Sequence, residues 1–236
     1  MSGLLSHWSL ILSRRDELAD ELARGEGLLA HWAGLAAVMA AGAAVYGLVL
    51  GMWHGTALTL YVAVKLPLVL LATSAITMLL SYVVAALLGL GLRFAQVANL
   101  TFLALATASL LLASLAPVAL LFTVSLPEPE PSTTARLAHN LLYLLHTGFV
   151  GACGLAGCAV LWRGLQRMRP GARHLRAVFA AWVLAFALVG GEVAWALRPF
   201  VGSVYYPVAF LRPDALDGNV YEFVVREIVP YLLSRR

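Results

Sequence analysis

Charged residues are scarce in this chain, and that scarcity excludes an ordinary soluble domain. Only 12% of its 236 residues are Asp, Glu, Lys or Arg, about half of the roughly 25% that soluble domains carry. Hydrophobic residues make up 61% of the chain, and the mean hydropathy is +0.86. We therefore expect an all-α membrane protein, because the apolar runs have the length of helices that cross a bilayer.

Cysteine is equally rare, which excludes a disulfide framework. Cys153 and Cys158 are the only two cysteines, and a spacing of five residues puts them on different faces of a helix. Two cysteines are also too few to hold a metal by themselves. The chain lacks a Gly-rich phosphate loop, a nucleophile elbow and a haem-attachment motif. We therefore predict no catalytic residues, no metal and no cofactor.

Five apolar runs predict a bundle of about five transmembrane helices. Pro67 is expected in the first turn of the second helix, where its missing N–H costs little. Residues 53–65 fit either an interfacial connector or the start of a long second helix. The predicted spans cover about residues 28–52, 66–92, 95–126, 135–162 and 178–197.

Small residues recur at four-residue spacing in the first span, at Ala43, Gly47 and Gly51. Such a ladder allows two helix backbones to approach closely. It fits packing within the chain as well as packing between copies, so a homo-oligomer or a complex with other membrane proteins is one expectation.

The two terminal segments are too polar to cross a bilayer. In residues 1–27 apolar side chains recur at helical spacing between charges, which predicts an amphipathic cytoplasmic helix on the membrane surface rather than a signal peptide. In residues 198–236 charges interrupt the apolar pattern, so we expect an external amphipathic tail. Both segments have the lipid bilayer as their expected partner.

The distribution of arginine predicts the orientation. Five arginines and no carboxylate lie between the fourth and fifth spans, which is typical of a cytoplasmic loop. The N-terminus is then cytoplasmic and the C-terminus external, in the inner membrane of a cell. The pI of 9.3 follows from this loop, and we expect no nucleic-acid partner. The five are Arg163, Arg167, Arg169, Arg173 and Arg176.

Glu192 is the most informative single residue, because it lies inside the last apolar run. A charge in the middle of a span costs about 2.5–3.5 kcal/mol even on lenient scales, so it normally has a partner, a cavity or a pathway. The predicted topology puts Lys65 and Arg198 at a similar depth. Glu192 could form a buried ion pair with either one, serve as an ion or proton site, or reach interfacial water.

A second set of polar residues is expected on one face of the fourth span. His139, Tyr143 and His146 follow at spacings of four and three, which aligns them along a helix. They form either a proton relay or pore lining, or a packed seam in which the imidazoles bind neighbouring carbonyl groups.

Two segments together resemble a known group of proteins. Residues 65–73 (KLPLVLLAT) open the second span, and residues 195–203 (WALRPFVGS), with 210–212 and 218–222, follow the fifth. They resemble uncharacterised bacterial integral membrane proteins that are loosely similar to Yip1-type five-span proteins. The resemblance, over about residues 65–222, implies the same topology and no established enzymatic activity. It draws attention to Lys65, Glu192, Arg198, Arg212 and Asn219.

Three functions fit the sequence to different degrees. The preferred one is a non-enzymatic subunit that assembles a membrane complex through its amphipathic termini and its small-residue ladder. The alternative is a small oligomeric ion or proton channel or transporter that uses Lys65, Glu192 and the His139–His146 stripe. A membrane enzyme or redox subunit has the least support, because no motif for its chemistry is present.

Overall fold

The computed structural model describes residues 20, 21, 24, 28–130, 132–202, 208–223 and 226. Most of the predicted N-terminal helix of residues 1–27 and most of the tail after residue 223 therefore lie outside the described residues. Within those described, the regular structure is entirely helical. The elements are α1 (Leu28–Gly51), a 3-10 turn (Met52–His54), α2 (Thr56–Leu87), α3 (Phe94–Val124), α4 (Thr133–Met168), α5 (Leu175–Ala196) and the short α6 (Val220–Phe223).

Five of these helices are long and apolar enough to cross a membrane. They contain 24, 32, 31, 36 and 22 residues in chain order, and a spanning helix needs about 20. The sequence prediction of an all-helical fold with five such helices is confirmed at this level.

Of the two alternatives for residues 53–65, the structure shows the start of a long second helix, and α2 begins ten residues before the predicted bound of residue 66. Residues 53–65 do not form a separate interfacial connector, because a 3-10 turn and Gly55, with φ +97°, lead directly into α2 at Thr56. Pro67 therefore lies inside the helix rather than in its first turn. The prediction that Pro67 lies in the first turn was wrong. A proline is tolerated inside an apolar helix, because neighbouring groups stabilise the carbonyl group that loses its helical hydrogen bond.

Glycines let α1 approach its neighbours at backbone distance. A Cβ atom on Gly47 would lie 2.6 Å from the carbonyl oxygen of Val62, and one on Gly51 would lie 2.6 Å from that of Leu58. Ala43, the first residue of the ladder, is fully buried. The two glycines of the predicted ladder thus pack α1 on α2 within the chain.

Side-chain contacts define the two ends of the bundle. Trp53 Nε1 donates to the carbonyl oxygen of Pro127 at 2.9 Å, and Gly202 packs on the ring of His54. At the opposite end Arg169 donates to the carbonyl oxygen of Gly91. The turn after α1, the loop after α3 and the segment after α5 therefore share one end. We call this the cap end, and the other, which contains the α2–α3 and α4–α5 turns, the arginine end.

The described N-terminal residues lie at the arginine end. Asp20 lies 3.6 Å from Arg167, measured from Oδ1 to Nε, and Glu21 lies 3.3 Å from His31, measured from Oε2 to Nε2. The chain thus enters the bundle at the arginine end and leaves it at the cap end, as an odd number of helices requires.

The surface of the bundle is more apolar than parts of its interior. Polar side chains, among them Lys65, Asn99 and His146, are buried in the bundle. Large aliphatic side chains are instead exposed on all five long helices. Soluble proteins show the reverse distribution. Among the most exposed are Leu60, Ile76, Leu79, Leu121, Leu144, Leu155 and Leu184.

Candidate functional site

The site is built where the chain leaves α5 and folds back over the end of the bundle. We call residues 197–202 and 208–223 the cap. Its position depends on two basic side chains, Lys65 from α2 and Arg198 from the cap itself.

Lys65 holds the beginning of the cap. Its side chain is fully buried, and Nζ donates to the carbonyl oxygen of Pro199 at 3.1 Å. The ammonium group also lies 6.0 Å from the ring centroid of Phe200 and 5.3 Å from that of Phe210. A cation in an apolar environment is stabilised by such an oxygen and by the faces of aromatic rings. Lys65 therefore joins the middle of α2 to two separate parts of the cap.

Arg198 holds the middle of the cap. Its guanidinium carbon lies 3.9 Å from the ring centroid of Trp195. Nη1 donates to the carbonyl oxygen of Trp195 at 2.9 Å, and Nη2 donates to that of Asp214 at 3.1 Å. The same Nη2 lies 3.4 Å from Asp214 Oδ2. Arg198 thus connects the end of α5 to a residue 16 positions later.

Asp214 lies between two guanidinium groups. Arg212 binds its carboxylate in a bidentate manner, with distances of 2.9 Å from Nε and 3.0 Å from Nη2, and such pairs are strong and directional. Partial burial acts to raise the pKa of Asp214. A hydrogen bond from its own backbone and the charges of Arg212 and Arg198 outweigh this and hold the pKa below its usual value. The carboxylate therefore stays ionised at neutral pH.

The expected ion pair of Glu192 does not form. Within the described part of the chain, neither Lys65 nor Arg198 lies within 4.0 Å of its carboxylate, because these cations bind Pro199 and Asp214 instead. Oε1 of Glu192 is buried without a hydrogen-bond partner among the described residues. The sequence placed all three residues at a similar depth but could not show which acceptors the folded cap would supply.

Tyr221 is the cap residue whose titration responds to the charge of Glu192 among the described residues. Its hydroxyl donates to the carbonyl oxygen of Leu188 in α5. Burial and then the negative charge of Glu192 raise the pKa of Tyr221. The end of α6 is held on α5 by this bond and by the ring of Phe223, whose centroid lies 5.2 Å from that of Trp195.

The described part of the cap exposes several apolar side chains beside polar ones such as Asp217 and Asn219. Leu216 is 83% exposed and Leu211 51% exposed, and the rings of Phe210 and Phe223 are partly exposed beside them. Arg198 and Arg212 of the cap bind Asp214, whereas Leu211 and Leu216 are exposed. This distribution is typical of a surface that meets another apolar surface.

The predicted stripe on α4 is present and includes a partner that the sequence did not indicate. The ring centroids of His139 and Tyr143 lie 5.2 Å apart. His146 is buried, and its Nδ1 lies 2.7 Å from the hydroxyl oxygen of Tyr46 in α1. The imidazole thus binds a hydroxyl rather than a backbone carbonyl. The only signal in the sequence was a single tyrosine inside the first apolar run, with nothing to relate it to His146.

Two ring nitrogens of this stripe remain without a hydrogen-bond partner. They are Nδ1 of His139 and Nε2 of His146, both buried in the described structure. Trp53 packs on His139, with ring centroids 5.8 Å apart. The stripe therefore runs from the cap end towards the middle of the bundle, with a gap in hydrogen bonding between His139 and His146.

Metal ligands do not converge in the described residues. No group of three or more His, Cys, Asp or Glu side chains has a geometry that could hold an ion there, and both Cys153 and Cys158 are free thiols.

Comparison of the chain with family models, with curated proteins and with solved structures finds no match. The resemblance to five-span Yip1-type proteins stays a prediction.

Proposed function

We propose that this protein is a multi-pass membrane protein that acts as a non-enzymatic assembly subunit of a membrane complex. The five long helices cross the bilayer in this proposal. Support comes from the outward-facing aliphatic side chains and from the burial of Lys65, Asn99 and His146 inside the bundle. A bilayer accommodates the first group and excludes the second.

The proposed orientation has the arginine end in the cytoplasm and the cap end outside a cytoplasmic (inner) membrane. The α4–α5 turn and its flanking residues contribute five arginines to one end, and a cytoplasmic location is typical of such loops. The N-terminus is then cytoplasmic and the C-terminus external.

The cap carries the proposal of an assembly role. Lys65, Arg198 and Arg212 bind acceptors inside the chain, so these charges are used to fix the cap rather than to line an open pathway. A fixed cap presents Leu211, Leu216 and neighbouring rings at the external surface. We therefore assign the cap as the surface that binds another membrane protein or a second copy of this chain.

A photo-crosslinking residue at position 216 tests this function. Leu216 is the most exposed large hydrophobic side chain in the described part of the cap, and Leu137, which is 60% exposed in the first turns of α4 at the same end, is the matched control. In membranes of the native host we expect a protein adduct of discrete mass from position 216 and none from position 137. An adduct at twice the chain mass identifies a second copy as the partner.

Two results would contradict the assembly role. One is a chain that stays monomeric in mild detergent and gives no protein adduct from position 216. The other is equal adduct formation at both positions, which indicates random collision in the membrane rather than a defined surface.

A second candidate function is a proton pathway along α4. It is favoured by the unpartnered nitrogens of His139 and His146, because an imidazole with a free ring nitrogen can accept or pass on a proton. The contact of His146 with Tyr46 would extend the pathway into α1.

A further inference from the structure

A groove opens between α4 and α5 on the side of the bundle. These two helices make few contacts with each other, and the floor of the groove is formed by α2 and α3. Its volume is about 290 Å³, and its lining is almost entirely apolar. In the bilayer that the proposed function requires, this groove opens sideways into lipid rather than into water.

Glycines in α4 create the space. A Cβ atom on Gly151 or on Gly154 would meet no atom within 4 Å, whereas one on Gly157 would lie 2.9 Å from the carbonyl oxygen of Ala104 in α3. The helix thus packs tightly at one glycine and leaves the groove open at the two preceding ones. Gly151 and Gly154 line the groove directly.

The size of the groove suits a flexible hydrocarbon chain as its occupant. A dry cavity of about 150 Å³ in another protein accommodates benzene, so this groove has room for roughly ten carbon atoms. A flexible hydrocarbon chain fits this space.

A serine hydroxyl adds a polar contact to the groove. Ser81 is only 5% exposed and lines the groove, and within the described residues its hydroxyl makes no hydrogen bond. Thr77, one turn earlier, instead donates to the carbonyl oxygen of Thr73 at 2.8 Å. An unpaired hydroxyl in an apolar wall is costly unless a ligand oxygen binds it. Ser81 lies six residues before the end of α2, or about 9 Å from the arginine end.

The groove continues towards a positive charge. Cys158 lines both the groove and a shallower depression that extends past Trp162 and Phe179 to Arg176. Arg176 lies in the first turn of α5 and makes no ion pair within the described residues. A molecule that follows this surface has its apolar part among the glycines, an oxygen near Ser81 and its end beside a guanidinium group.

From these three features we infer that the α4–α5 groove is a binding site for an anionic lipid, with its hydrocarbon chain in the groove and its acidic head group at Arg176. The inference rests on the membrane insertion proposed above. An acyl phospholipid and a polyprenyl phosphate share this chemistry, and the probes described below distinguish them.

Photolabelling of the full-length protein in vesicles tests this site. Three probes carry a diazirine on the hydrocarbon chain: phosphatidylglycerol, phosphatidylcholine and a polyprenyl phosphate. We expect adducts on residues 151–158 and 182–187, with phosphatidylglycerol labelling exceeding phosphatidylcholine labelling about fivefold, as one arginine at the interface favours an anionic lipid. Stronger labelling by the polyprenyl phosphate than by phosphatidylglycerol identifies an isoprenoid as the source of the chain.

Two variants test the contributions of the hydrocarbon chain and of the head group separately. Gly154→Leu fills the groove and should lower adduct formation there roughly tenfold, because it displaces at least two methylene groups. Gly148→Leu is the matched control, since Gly148 also faces open space but does not line the groove. Arg176→Gln should abolish the preference for phosphatidylglycerol while phosphatidylcholine labelling stays unchanged.

Labelling spread evenly over the outer faces of the helices and unaffected by Gly154→Leu would overturn the inference. Retention of the protein in carbonate-washed membranes shows that it is inserted in the membrane. A failure of the lipid site is thereby distinguished from a failure of the membrane insertion that the proposed function requires. A chain that stays in the membrane without groove labelling disproves the lipid site alone.

Discussion

The buried basic side chains of this protein bind backbone carbonyl groups more often than they bind acidic side chains. Lys65 binds the carbonyl oxygen of Pro199, which supplies an acceptor without requiring a second buried charge. Burying both members of an ion pair often costs more than their attraction returns. Glu192 consequently remains outside the network, with one buried oxygen that no described residue binds.

At the same scale, the Tyr46–His146 contact distinguishes the two candidate functions. His146→Gln retains a polar side chain but cannot pass a proton through a ring. For an assembly subunit, we expect the same proton flux in liposomes that contain the wild-type protein, in liposomes that contain the variant and in protein-free vesicles. Flux above that background that His146→Gln abolishes would instead support the proton pathway. Tyr46→Phe should lower the stability by about 1–3 kcal/mol in both cases, since it leaves a buried ring nitrogen without its partner.

At the scale of elements, the sequence predicts the long helices well because each apolar run exceeds the length of a bilayer crossing. The start of α2 was harder to predict. His54 and Gly55 lie in a turn of only a few residues, so the apolar segment after them fitted either a separate connector or the start of α2. Pro67 then suggested a helix start, although the apolar helix simply continues through it.

A substitution that adds a single methyl group at Gly47 tests the close contact of α1 with α2. Gly47→Ala should lower the stability by about 1–3 kcal/mol, because the new Cβ would lie 2.6 Å from a backbone oxygen that cannot move away alone. Gly148→Ala, on a face with open space, should be neutral or stabilising by up to about 1 kcal/mol through helix propensity. Thermal unfolding in detergent measures both. Equal effects of the two substitutions would contradict the packing described for α1.

At the scale of the whole molecule, the candidate site was only half predictable. The sequence identified Lys65, Glu192 and Arg198 because charges stand out in apolar runs. It could not identify Pro199 and Asp214 as their acceptors, because the return of the cap over the bundle depends on tertiary contacts. Phe210, which lies 5.3 Å from the Lys65 ammonium group, has no distinguishing pattern in the sequence.

Accessibility of single cysteines tests the two ends of the bundle. In a chain with Cys153 and Cys158 replaced by alanine, Glu130→Cys and Asp217→Cys probe the cap end, and Arg173→Cys probes the arginine end. A membrane-impermeant maleimide should label the first two in intact cells and the third only after permeabilisation. The reverse pattern would overturn the proposed orientation but leave the bundle intact. Labelling of all three in intact cells would contradict five crossings.

The bond between Lys65 and Pro199 has a consequence for the making of the protein. The ribosome adds Pro199 134 residues after Lys65, so in the proposed membrane topology the ammonium group enters the bilayer well before its acceptor exists. During that interval the nascent chain contains an unneutralised cation in its second helix. In that topology the bond forms only after the segment that follows the fifth helix has been synthesised.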